Sequence, residues 1–247
     1  EQQLVLHQRL VEVSAKPECL LHFAGGETVA CAVAARGYSN LAAMFWVLAA
    51  AALLLYLVAM VVLLVRPSGL NLLYAGVALC QAGNLLFSAV DATLDLGVPS
   101  RLLAWEFTVR AAFDLFTAAA VIHVVSIHPL PLPRARRWAI GGWAVGLATF
   151  AALALGVLPN QWWWLQAVTT LLGLTVIVLL TWSYRLEPRP LAIALRRFSV
   201  LTVGAWVLLS VGLAATNRQP WIQANIASLG TLFWYLALAG ALMLTPF

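Results

Sequence analysis

The chain has 247 residues, of which 63% are apolar and only 9% charged, and its mean hydropathy is +0.93. A soluble domain carries roughly 25% charged residues, so the composition excludes an ordinary soluble fold and points to an integral membrane protein. The formal net charge of +5 falls largely between apolar runs, where it reports topology and leaves no nucleic-acid footprint.

Residues 1–38 differ in character from the rest and form the first predicted unit, with residues 39–247 as the second. The opening EQQLVLHQRLVEVSA suits either a helix with Leu6, Leu10 and Val13 on one side or a strand. The stretch LLHFAGGETVACAV, residues 20–33, predicts a β-hairpin turning at Gly25 and Gly26. With Ala24–Gly26 as the loop, Cys19, Leu21 and Phe23 share a face with Val29, Cys31 and Val33, and Cys19 lies opposite Cys31. Outside the cytoplasm such a pair can form a disulfide; two reduced cysteines on a buried sheet face are the alternative. Fewer than about 40 residues rarely fold alone, so this unit reads as the tail of a larger extracytoplasmic domain. The expectation is a longer protein, with parts before Glu1 and after Phe247.

Seven apolar runs follow, near 41–65, 70–94, 102–127, 137–158, 162–184, 196–216 and 221–245. Each reaches the ~18–20 residues a spanning helix needs and exceeds the ~10 residues of alternation in a transmembrane strand. The predicted fold is an all-α bundle of seven transmembrane helices preceded by a small β-hairpin. Arg66, Arg134, Arg136, Arg137, Arg185, Arg189, Arg196 and Arg197 fall in the odd links, against Arg101 and Arg218 in the even ones. Positive residues mark the cytoplasmic side, so the N-terminus is expected outside and the C-terminus in the cytoplasm. Trp162, Trp163 and Trp164 open the fifth run where indoles favour the interface.

The second run carries Gln81, Asn84, Ser88, Asp91 and Asp95, spaced by three or four. On a helix of about 3.6 residues per turn this makes one polar stripe. The third run places Glu106, Arg110 and Asp114 at i, i+4 and i+8. Folding the two runs about a short link brings Ser88 and Asp91 to the level of Glu106 and Arg110. Charged groups at membrane depth are costly unless paired or facing a wet cavity. Three readings are open. Arg110 bridges Glu106 and Asp114 while the stripe glues two helices; or Asn84, Ser88, Asp91, Glu106, Arg110 and Asp114 line a pocket for a small ligand or ion; or they carry protons. The excess of carboxylates over the single Arg favours the pocket over the glue, and the lack of acidic groups toward the cytoplasmic half weakens the proton path.

Ser199, Thr202, Trp206 and Ser210 share a face of the sixth run, and Gln223, Asn225, Ser228 and Thr231 lie on the seventh. Hydroxyls and amides there read as interhelical contacts. Three prolines stiffen the basic link HPLPLPRARR (128–137) toward polyproline geometry, and YRLEPRPLAIALRR (184–197) reads as a longer link. Both suit topology anchoring or contact with membrane lipid.

No catalytic motif is present: no HExxH, no glycine-framed serine and no phosphate-cradling loop. Lys16 is the only lysine and lies outside the runs, so a retinal Schiff base is excluded. His123 is the one histidine well inside a run, which argues against a bis-histidine haem, and no cofactor is expected.

The stretches LVLHQRLVEVSAKPECLLHFAGGETVACAVAARG, VVLLVRPSGLNLLYAGVALCQAGNLLFSAVD and LLTWSYRLEPRPLAIALRRFSVL resemble parts of the seven-transmembrane sensory input regions of bacterial membrane histidine kinases. Some of these place a PDZ-like domain before the membrane region, and the first stretch looks like its last helix and two strands. The resemblance implies a multi-pass protein of the bacterial cytoplasmic membrane that couples an outside or intramembrane signal to a cytoplasmic kinase homodimer. A phospho-acceptor histidine segment and an ATP-binding box are missing here, so the resemblance places kinase domains beyond Phe247 and carries over no ligand residues.

Overall fold

The computed structural model describes residues 13, 18–32, 41, 43–65, 67–92, 100–188 and 190–215. The opening helix-or-strand segment and the seventh run, 221–245, lie outside these, as do Asp95, Asn217 and Arg218.

The hairpin forms as expected. Strand β1 (Glu18–His22) pairs antiparallel with β2 (Thr28–Ala32), with Cys19 opposite Cys31 and Leu21 opposite Val29. The Phe23 amide donates to the Glu27 carbonyl at 2.9 Å, and Gly26 closes the three-residue loop at a φ of 85°, a value that favours glycine. The Cys31 thiol is free, and the side chain of Cys19 lies outside the described ones.

Six helices follow among the described residues: α1 (Ala43–Val65), α2 (Gly69–Asp91), α3 (Ser100–Ile127), α4 (Ala135–Ala154), α5 (Gln161–Leu186) and α6 (Pro190–Ala215). All six are long and apolar enough to cross a membrane, so the chain is a multi-pass, all-α membrane protein with a small sheet. Pro67 ends α1, and Ser68 caps α2 by accepting from the Asn71 amide at 3.1 Å. Helix α3 is central: α2, α4 and α5 all pack on it, with α1 against α2 and α6 against α5.

Glycines set the closest approaches. Gly83 and Gly76 on α2 seat the rings of Phe113 and Phe116, and a methyl group at Gly83 would stand 2.5 Å from the Phe113 ring. On α4, Gly142 lies against Ile122 and Gly146 against the backbone of Leu115. This small-xxx-small spacing lets membrane helices approach closely.

Three expected boundaries move, each for a local reason. Helix α4 stops at Ala154 instead of near 158 because Gly156 adopts a φ of 67°, and the Gly156 and Val157 amides donate back to the Leu153 and Ala152 carbonyls. That is a Schellman stop. The link from 184 to 197 is mostly helix: α5 runs to Leu186, and α6 begins at Pro190, a residue whose fixed φ suits the first helical position. Arg196, expected in the link, lies on α6 with its guanidinium 4.7 Å from the centre of the Tyr184 ring. The proline-rich link is no extended spacer either. Leu132 is buried with Ile122, Val125, Leu179 and Leu195, and its amide donates to the Ser126 carbonyl at 2.9 Å.

Candidate functional site

Helices α2 and α3 run antiparallel, so equal steps along each keep polar residues facing one another. Ser88 meets Arg110, Asn84 meets Asp114 and Gln81 meets Thr117, each pair one helical turn from the next. The structure therefore joins all six candidate residues, Asn84, Ser88, Asp91, Glu106, Arg110 and Asp114, into one ladder between two helices.

The ladder has two parts. At the Asp91 end, Arg110 Nη1 donates to Glu106 Oε1 at 2.6 Å and to Asp91 Oδ2 at 2.9 Å, while Nη2 donates to Ser88 Oγ at 3.0 Å. Glu106 is 8% exposed, whereas the side chains of Arg110 and Asp91 are 33% and 42% exposed. A buried acid is thus joined through one guanidinium to an acid at the rim. Of the two in-helix contacts in the glue reading Arg110 makes the one to Glu106, and the other carboxylate it bonds is Asp91, on the neighbouring helix. A guanidinium one-third exposed reaches the rim more readily than the depth of Asp114, and bonding across helices joins two elements where the i+4 bond joins none.

Deeper, the contacts are amide and hydroxyl. Asn84 Nδ2 donates to Asp114 Oδ1 at 2.7 Å, and Gln81 Nε2 donates to Thr117 Oγ1 at 2.7 Å. Asn84 is buried, and its Oδ1 has no hydrogen-bond partner among the described residues. Asp114 accepts from an amide and forms no salt bridge among the described residues. A carboxylate held at this depth by neutral donors retains capacity for a cation or a further donor.

Asp114 also opens onto a cavity of about 160 Å³ lined by α2, α3, α5 and α6. Its wall runs down α3 from Asp114 through Thr117, Val121 and Val125 to His128. Thr169 and Gly173 on α5, and Ser199, Thr202 and Trp206 on α6, complete it. Asn84, Ser88, Asp91, Glu106 and Arg110 do not contribute to this wall, so among the six candidates only Asp114 joins ladder and cavity.

The cavity has no signature in any single run. Ser199, Thr202 and Trp206 stand at a three-then-four spacing that marks one face of α6, but nothing local says the face borders a void. The same reading holds for Ser210 in its simple form: its hydroxyl bonds Gln166 on α5 at 2.8 Å as an interhelical contact. His123 accepts from Trp143 Nε1 at 3.4 Å and is a packing residue between α3 and α4. Among the described residues, no group of three or more His, Cys, Asp or Glu side chains is gathered as a metal site.

Comparison of the chain with protein-family models, curated proteins and solved structures finds no match.

Proposed function

We propose that this chain is the membrane input module of a bacterial signal-transduction protein, receiving a small ligand or ion and relaying the event to cytoplasmic kinase domains. In this reading residues 221–245 form a seventh spanning helix, the N-terminus lies outside, the C-terminus emerges in the cytoplasm, and the module itself is non-catalytic. The full-length protein would act as a homodimer in the cytoplasmic membrane. The supporting observation is the ladder itself: Arg110 on α3 holds Asp91 on α2 and its own neighbour Glu106 at once. A ligand that favours one arrangement of α2 against α3 shifts the populations of the two by its difference in affinity. The rim carboxylate Asp91 is the group that can let go, because its contact is the more exposed.

The test is signalling output from the full-length protein with Arg110→Ala and Asp91→Asn. The reading expects both variants to fold and to lose the response. Unchanged signalling in folded variants would sink it.

A small transporter is the second reading, favoured by the cavity that continues from Asp114 toward His128 on the far side of the ladder. Flux across vesicles carrying the purified chain separates the two: transport requires accumulation that Asp114→Asn abolishes, whereas a sensor gives none.

A further inference from the structure

We infer that the cavity below the ladder is a binding site for a single-chain aliphatic amine, with its ammonium at Asp114 and its alkyl chain lying between α3, α5 and α6. The inference rests on the input-module reading only for its biological use; the site itself is argued from shape and charge.

Shape comes first. From Asp114 on α3 to His128 just past its end is fourteen steps, or roughly 21 Å at about 1.5 Å per residue. A volume of about 160 Å³ drawn out over that length is slender, suited to an extended chain rather than a fused ring system. An apolar cavity near this volume takes apolar guests, and Val, Leu and Ala supply nine of the nineteen described wall residues, with hydroxyls between them.

Charge selects the head group. Asp114 is the only acidic residue among the described residues of the wall, and it sits at the ladder end. In the ladder it takes neutral donors only, the Asn84 amide and the Gln81 amide, and it has no salt bridge among the described residues. Thr117 stands one turn further along the same wall. Asn84, 3% exposed, lies behind this wall and turns its Nδ2 to the carboxylate. An ammonium has three donors and no acceptor, so it matches a carboxylate with the Thr117 hydroxyl oxygen one turn along the same wall. A carboxylate head would meet like charge, and a hydroxyl head would satisfy one acceptor while leaving the charge uncompensated.

The experiment uses the whole chain in phosphatidylcholine nanodiscs, with n-octylammonium, 1-octanol and octanoate as probes and the thermal unfolding midpoint as the readout. Each probe is compared between the wild type, Asp114→Asn and the cavity-filling Ala118→Phe, so that partition into the bilayer cancels. The expected result is a midpoint rise with octylammonium in the wild type alone. Its apparent affinity should fall at least about tenfold in Asp114→Asn, as when one partner of a desolvated charge pair is removed, and fall likewise in Ala118→Phe, which keeps the carboxylate. Octanol matching octylammonium in the wild type overturns the amine assignment, as does octanoate outperforming it. Equal shifts in all three proteins overturn the site. Failure here leaves the input-module reading intact, since the outer ladder can still receive a signal; unchanged signalling in folded Arg110→Ala and Asp91→Asn, with amine binding preserved, overturns that reading and leaves the site standing.

Discussion

Replacing Arg110 with alanine removes at least three contacts of unequal worth, to Asp91, Ser88 and Glu106. The Asp91 pair joins side chains 33% and 42% exposed, and ion pairs at such rims are worth only about 0–1 kcal/mol. The Ser88 hydrogen bond adds about 0.5–1.5 kcal/mol. Glu106 decides the outcome: it is 8% exposed, and without Arg110 its carboxylate is left buried. Stripping one partner from a fully buried pair costs about 3–5 kcal/mol, and the partial exposure of Arg110 brings this to roughly 2 kcal/mol. The total expected for Arg110→Ala is therefore about 3 kcal/mol, most of it the stranded charge. Glu106→Gln in the same background should recover about 2 kcal/mol, because an amide at that position needs no cation. Unfolding in mixed detergent micelles, followed by loss of helicity, measures the wild type and both variants. The reasoning fails if Arg110→Ala costs under about 1 kcal/mol, or if the double variant is no more stable than the single one.

Other changes probe the scaffold. Gly83→Ala should destabilise by about 1–3 kcal/mol, since its methyl would stand 2.5 Å from the Phe113 ring; pairing it with Phe113→Leu should restore part of that in the same unfolding assay. Gly156→Ala should cost about 1–2 kcal/mol at a φ of 67°, while Gly141→Ala, with nothing within 4 Å, should be neutral or slightly stabilising. A double-mutant cycle of Gln81→Leu and Thr117→Val should give a coupling of about 0.6–2 kcal/mol, and no coupling would mean that the 2.7 Å contact contributes nothing to holding α2 on α3. A membrane-impermeant maleimide should label the free Cys31 in intact cells, and labelling only after lysis would reverse the proposed orientation.

The hairpin and the ladder show how far short-range patterns reach. The Ala24–Gly26 loop fixes strand register, because side chains alternate with a period of two and one slipped residue moves every side chain to the other face; the Cys19–Cys31 opposition follows directly. On α2 and α3 the three-and-four spacing identified the polar faces, and a short link made the helices antiparallel neighbours. Helix ends were less legible, because Gly156 acts through a left-handed backbone, while Pro190 starts a helix as readily as it ends one.

Sequence alone determined the membrane class, the placement of the six described spans, the hairpin register and the residues that face one another across α2 and α3. These depend on hydrophobic length and local periodicity, which each segment carries by itself. Tertiary structure decided that Arg110 bonds Asp91 rather than Asp114, that Asn84 serves Asp114, and that a cavity runs from Asp114 to His128. Those outcomes turn on helix rotation and on how closely the backbones approach, as where Phe113 seats against Gly83. Packing of four helices leaves or fills a void according to side-chain volumes from all of them at once, and no one helix encodes that sum.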